Sequence, residues 1–217
     1  MSILRIIHNI EDFLLYILDF IFPKSEKQRK VETLDARNWR NLSKVDTHEN
    51  VLFFFPYDVE VVRDAIWEIK YKRNRKIREM IVGIMSEYLL EEVAEKMQME
   101  NFGDPIITSI PQSKKRKSER GFDQGEDLSR DLGKRLSIPY QSVLIKTRET
   151  VRQTTLKRNE RLQNMKGSFG IAPNENVVGG NIIVIDDVTT TGATLNEIKK
   201  TLLKAGARKV WLLAVAH

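Results

Sequence analysis

The chain is predicted to fold as an α/β domain with a mostly parallel sheet covered by helices on both faces. Three observations carry this. Short apolar runs rich in Val, Ile and Phe alternate with longer segments of helical periodicity from residue 51 onward, an order that builds βαβ units. The composition is ordinarily globular, with 41% hydrophobic and 30% charged residues in 217, which excludes collagen-like and wholly disordered chains. Cysteine is absent, which removes disulfides, Cys-ligated zinc, iron–sulfur clusters and a thiol nucleophile together.

At the N-terminus, Ile3, Ile7, Ile10, Leu14, Ile17 and Ile21 recur at heptad spacing, with Ile6, Phe13 and Phe20 widening the stripe, so an amphipathic helix is expected. His8, Asn9, Glu11, Asp12 and Asp19 interrupt the apolar run and no small-residue cleavage site precedes Pro23, so neither a signal peptide nor a transmembrane segment is read here. The stripe wants a partner surface: its own domain, a second subunit in a homo-oligomer or, less in keeping with its acidic polar face, a membrane surface. Lys24 to Asn50 reads as a polar linker with anchors such as Trp39. The expected division is therefore 1–50, helix and linker, and 51–217, the α/β domain.

Within that domain Val51–Phe55 reads as a strand, Val59–Tyr71 and Ile77–Met97 as helices, and Ile106–Ile110 as a buried strand. Gln124–Leu136 is a helix, Val143–Ile145 a weaker strand and Arg158–Met165 a short helix. Ile182–Ile185 is a strongly apolar strand, Leu195–Ala205 a helix and Lys209–Val215 a closing strand. No internal repeat is visible.

Charge is concentrated. The 36 basic and 30 acidic side chains give +6, but residues 63–78, 111–120 and 146–161 together hold 18 basic and 5 acidic groups. These stretches suit phosphorylated small molecules or a nucleic-acid backbone, or else they are solvated helix faces.

The densest chemistry lies in Ile182-Ile183-Val184-Ile185-Asp186-Asp187-Val188-Thr189-Thr190-Thr191-Gly192-Ala193-Thr194. An apolar strand delivers two carboxylates to the sheet edge where α/β folds bind ligands. A Thr/Gly loop then opens a helix whose N-terminal N–H groups favour phosphate. The acids accept hydrogen bonds from sugar hydroxyls while Thr190, Thr191, Gly192, Ala193 and Thr194 receive the anion, an order that suits a ribose 5-phosphate.

This element resembles the phosphoribosyl-pyrophosphate signature of type I phosphoribosyltransferases. Arg120-Gly121-Phe122-Asp123-Gln124 resembles the RGFNQ region of the ComF family, named for competence, with Asp123 where that family usually has Asn. Ile69-Lys70-Tyr71 resembles its lysine-tyrosine helix end, and Thr150-Val151-Arg152-Gln153-Thr154-Thr155-Leu156 with Arg158, Arg161, Asn164 and Phe169 resembles its T-x-x-Q-x-x-L…R…N…F stretch. The resemblance runs from about residue 52 to the C-terminus.

The resemblance implies a type I phosphoribosyltransferase-like fold preceded by the amphipathic helix. It also implies a diphosphate loop with Lys114, Arg116 and Arg120, and a closing lid with Arg152, Gln153 and Arg161. The activity it implies is a glycosyltransferase-class transfer of ribose 5-phosphate from phosphoribosyl pyrophosphate to a nitrogen acceptor, through a cationic state stabilised by Asp186 and Asp187, with Mg2+ held mainly by the ligand. The alternative it implies is a non-catalytic accessory role in DNA uptake, with single-stranded DNA or a competence helicase as partner; either way a cytoplasmic protein is expected. Aromatics near the basic runs are few, chiefly Trp67, Tyr71 and Phe122, so no base-stacking platform is evident.

The departures matter too. Phe22-Pro23 is followed by no cysteine, so the family's zinc ribbon is not expected and no metal ligands are assigned. Thr190 stands where some transferases of the superfamily carry a catalytic Asp, so no general base carries over. No glutaminase domain is read, which argues against a complete amidotransferase. His8, His48 and His217 are isolated and read as structural or exposed.

Overall fold

The β-branched and aromatic runs form strands because each fits a pleated surface buried on both sides. In the computed structural model, which describes residues 26–113, 118, 121–148 and 164–217, the elements run in order. They are α1 (Glu26–Thr33), α2 (Ala36–Leu42), β1 (Asp46–His48), β2 (Val51–Phe55), α3 (Glu60–Lys72), α4 (Arg75–Met99) and β3 (Ile106–Ser109). Then come α5 (Gln124–Leu136), β4 (Leu144–Lys146), β5 (Phe169–Ile171), β6 (Asn181–Val188), α6 (Ala193–Lys204) and β7 (Lys209–Ala216). The main sheet has the order β1-β2-β7-β6-β3. Only the β1–β2 pair is antiparallel; β2–β7, β7–β6 and β6–β3 are parallel.

Alternation along β6 shows how the sheet is covered. Ile183 and Ile185 face a cluster with Ile66 and Ile69 of α3, Ile81 and Met85 of α4, and Leu128 and Leu132 of α5. Ile182 and Val184 face the opposite cluster with Leu195, Ile198 and Leu202 of α6 and Phe169 of β5. Both faces are dry, as the sequence predicts for a doubly covered parallel sheet. β4 and β5 form a separate antiparallel pair against the second face.

The linker reading of Lys24 to Asn50 is corrected. Residues 26–42 form two helices, and Val31 and Trp39 are fully buried. Trp39 meets Phe55 of β2 edge-on at 5.9 Å between ring centroids. Apolar anchors are too sparse here for a periodic signal; the helices arise instead from good helix formers in Glu26–Lys30 and from Asp35, whose carboxylate accepts from Asn38 N at 2.7 Å as an N-cap. β1 and β5, three residues each, add to the expected strands, being too short to show a period in the sequence. The helix expected over Arg158–Met165 lies largely outside the described residues, as does the amphipathic helix of residues 3–22. Among the described residues no helix is long and apolar enough to cross a membrane.

Candidate functional site

Topology brings three elements to the carboxyl end of β6. The strand runs on to Val188, so Asp186 and Asp187 lie beyond the last β3 pair, Ser109 with Ile185, while still paired along β7. Asp186 accepts the Asp187 N–H at 2.8 Å. Asp187 is gripped on both oxygens: Lys70 of α3 reaches Oδ1 at 2.9 Å, and the Gln124 amide, at the N-terminus of α5, donates to Oδ2 at 3.1 Å.

The electrostatics arise from that geometry. Burial alone would push the Asp187 carboxyl up, but the Lys70 charge and hydrogen bond, helped by Gln124 and the Val188 N–H, hold it below the usual carboxylate range. Burial would likewise draw the Lys70 ammonium down; the charge and hydrogen bond of Asp187, with Asp186 and Tyr57, outweigh it and hold Lys70 above its ordinary value. The pair stays ionised across neutral pH.

The loop after β6 is shaped by two internal contacts. Thr189 donates its N–H to Ala216 O at 3.0 Å, and its hydroxyl accepts the Gly192 N–H at 3.1 Å. Gly192 has φ +62°, and a Cβ there would lie 2.8 Å from Asn196 Nδ2, so both its conformation and its space favour glycine. The first turn of α6 begins directly after it, where helix N–H groups have no intrahelical acceptor. Thr190 is exposed, Thr191 and Thr194 are half-buried, and Gly192 and Ala193 are buried. The acids, the loop and a helix N-terminus are thus contiguous, as the sequence reading expects.

Lys114, Arg116, Arg120, Arg152, Gln153 and Arg161 lie outside the described residues. The two flanks of the first basic segment are described. Gln112 donates to Asp123 Oδ1 at 3.1 Å and also to Gln124 Oε1, while Asp123 caps α5 by accepting from the Gly125 and Glu126 N–H groups, each at 3.1 Å. A chain of side chains therefore runs Gln112–Gln124–Asp187–Lys70. The sequence motifs include Lys70 and Gln124 but assign neither a role, and Gln112 stands outside them. The sequence signal for Lys70 is its place beside Ile69 and four residues after Ile66, on the margin of a buried stripe.

His48 is exposed and His217 half-buried, while His8 lies outside the described residues; the first two are not isolated from each other. His48 and His217 stack with ring centroids 4.3 Å apart, His217 lies 5.0 Å from the Phe53 ring, and its Nε2 is 3.2 Å from Thr190 O. They are distant in sequence but meet because β1 and β7 both flank β2. Among the described residues no group of three or more His, Asp or Glu side chains gathers as a metal cage.

No family model matches the chain. Among curated proteins it is similar to Competence protein F of Haemophilus influenzae, 29% identical over 185 residues, which is 83% of this chain and 80% of that protein. It is 33% identical over 152 residues to the DNA utilization protein YhgH of Escherichia coli, 68% of this chain and 64% of that one. It is 29% identical over 159 residues to Competence protein ComFC of Streptococcus pneumoniae, 72% and 63%. The chain thus spans just under two thirds of the length of the latter two. Among solved structures it is similar to the Bacillus subtilis glutamine phosphoribosylpyrophosphate amidotransferase, with 20% identity, TM-score 0.41, and 67% of this chain and 29% of that chain covered. A Staphylococcus aureus hypoxanthine phosphoribosyltransferase gives 15% identity, TM-score 0.38, and 63% and 62% coverage.

Proposed function

The chain belongs to the ComF family of competence proteins, and from that premise we propose that it binds phosphoribosyl pyrophosphate and acts as a phosphoribosyltransferase-like protein. The observation that carries this reading is the unbroken run of two acids, a Gly192 loop and the α6 N-terminus at one sheet edge. In the proposed pose the ribose diol donates to Asp186 and Asp187, and the 5-phosphate accepts from Thr190, Thr191, Thr194 and the N–H groups of the loop. By the family resemblance, Lys114, Arg116, Arg120, Arg152, Gln153 and Arg161 are the residues proposed to serve the diphosphate.

Transfer breaks the bond between C1 and the diphosphate oxygen, with the electron pair leaving on pyrophosphate, and forms a bond from C1 to an acceptor nitrogen, whose proton passes to the departing pyrophosphate or to water. Positive charge on the ribose ring is stabilised by the Asp186 and Asp187 carboxylates, negative charge on the leaving group by the basic loops. Mg2+, if bound with the ligand, would supply charge neutralisation at the diphosphate. Asp186 and Asp187, adjacent on β6 and proposed to face the ribose hydroxyls, fit an ion that would be held mainly by ligand oxygens.

A second reading, handling of single-stranded DNA, is favoured by the competence and DNA-utilization names of the relatives and by one surface feature. On α3 the exposed rings of Trp67 and Tyr71 lie 5.5 Å apart, with Lys72 Nζ 5.8 Å from the Trp67 centroid. Base stacking and phosphate pairing use such a combination.

Calorimetry with phosphoribosyl pyrophosphate and Mg2+ tests the first reading: wild type should give saturable heat, and none at millimolar ligand refutes it. Fluorescence anisotropy with a short single strand tests the second. Arg120→Ala should abolish phosphoribosyl pyrophosphate binding and leave DNA affinity nearly unchanged, and Trp67→Ala should do the reverse.

A further inference from the structure

The second acid of the site is already neutralised, and the ligand pose alone does not explain why. A carboxylate that is to accept from a ribose hydroxyl and to stabilise a cationic ring works best with its charge uncompensated. Yet Asp187 has an ammonium 2.9 Å from Oδ1 and an amide on Oδ2. Held in place during the reaction, the Lys70 charge would oppose the positive charge developing at the ribose carbon through the same acid.

The position of Lys70 offers a resolution. It sits in the last turn of α3, which ends at Arg73 in a left-handed cap, and its side chain is only 21% exposed. It shares Asp187 with Gln124, and Gln124 is bonded to Gln112, which lies just before the segment that holds Lys114 to Arg120. In the proposed pose the ribose hydroxyl at Asp187 is close to C1, which carries the diphosphate, so the Lys70 ammonium, 2.9 Å from the same acid, is within a side chain's reach of that group. Its stem is four methylenes long and rotates freely, unlike the rigid guanidinium fork of arginine, so it can exchange one anion for a neighbouring one.

We propose that Lys70 is a diphosphate-binding residue that is parked on Asp187 in the ligand-free protein and transfers to the ligand's diphosphate, freeing Asp187 for the ribose hydroxyl. The inference rests on the phosphoribosyl pyrophosphate reading above and adds a specificity device to it. A ligand that brings a diphosphate satisfies Lys70 and releases Asp187 in one step. Ribose 5-phosphate brings no second anion, so it must compete with Lys70 for the acid. Lys70 thereby favours the activated sugar over its hydrolysed product.

The test is calorimetry of the full chain with phosphoribosyl pyrophosphate, inorganic pyrophosphate and ribose 5-phosphate, each with Mg2+, on wild type, Lys70→Met and Lys70→Arg. Loss of a charge-assisted hydrogen bond should weaken phosphoribosyl pyrophosphate and pyrophosphate about 10- to 100-fold. Ribose 5-phosphate should bind Lys70→Met as tightly as wild type or more tightly, and Lys70→Arg should recover part of the diphosphate affinity. Because Lys70→Met leaves Asp187 without its ion-pair partner, the comparison is repeated in the Asp187→Asn background, where that imbalance is gone. There Lys70→Met should still lower phosphoribosyl pyrophosphate affinity. Equal losses for all three ligands, or no further loss in the Asp187→Asn background, would show that Lys70 merely neutralises Asp187 and would overturn the proposal. Failure of wild type to bind phosphoribosyl pyrophosphate at all overturns the site reading itself and this inference with it.

Discussion

Asp187→Asn keeps the shape of the side chain and removes its charge, so it measures what the Lys70–Asp187 pair contributes to folding. Fully exposed pairs contribute up to about 1 kcal/mol, and breaking a fully buried one by removing a partner costs about 3–5 kcal/mol. With the two side chains 21% and 15% exposed at 2.9 Å, this pair lies between those limits. We expect a loss of roughly 2–3 kcal/mol at pH 7, a fall in Tm of about 4–12 °C for a chain of this size.

The pH dependence has a definite sign. The Asp187 carboxyl is depressed in the folded state, so its contribution is present above the unfolded value of about 3.9 and is lost as pH falls through the lower, folded value. The Lys70 ammonium is raised, so its contribution is present below the unfolded value of about 10.4 and is lost as pH rises through the higher, folded value. Urea titrations of wild type and Asp187→Asn from acid to alkaline pH should therefore differ most across the neutral plateau and converge at both ends. A gap under about 0.5 kcal/mol at pH 7, the range of an ordinary surface substitution, or a gap that stays constant into strong acid, would refute the assignment of a buried, ionised pair.

Two further outcomes are expected. Gly192→Val should abolish calorimetric binding of phosphoribosyl pyrophosphate, because it puts a branched side chain at φ +62° against Asn196, a left-handed backbone costing about 1–2 kcal/mol before any clash is counted. Trp39→Ala should cost about 3–5 kcal/mol in urea unfolding, as for a large core side chain, since Trp39 is fully buried against Phe55; a cost under about 1 kcal/mol would make α2 peripheral to the fold.

Local repetition is what a sequence displays most clearly. The strand at Val51–Phe55 and the helix at Gln124–Leu136 lie where their patterns put them, because each buries a face whose period is visible in the residues. The acids and loop of the site are legible for a related reason: strand, turn and helix start are consecutive, so one segment fixes their order. Lys70 lies in a recognisable motif and on the margin of a buried stripe, but neither it nor His217 shows its partner in the sequence, because the partners are supplied by the sheet order. β6 lies between β3 and β7, bringing α3 and α5 to one side of Asp187, and no local pattern states that adjacency. Residues 26–42 escape sequence reading for a different reason: two buried anchors on charged helices give too little apolar periodicity to outweigh their polar composition.

Asp123 shows how a departure from a motif can be weighed physically. Its carboxylate caps α5 by accepting two backbone N–H groups and also accepts from Gln112. Asn and Asp are nearly equivalent as N-caps, so the cap geometry survives the exchange. The added negative charge stands at the positive end of the helix, where it is worth about 0.3–1 kcal/mol. Its drawback is proximity to the segment proposed to take a diphosphate. The bond from Gln112 and the two N–H groups hold that charge against the start of α5, so the departure leaves Gln124 able to reach Asp187. The acid at 123 thus performs the capping that an amide there could also perform, and leaves the Gln124–Asp187–Lys70 contacts proposed to serve the ligand undisturbed.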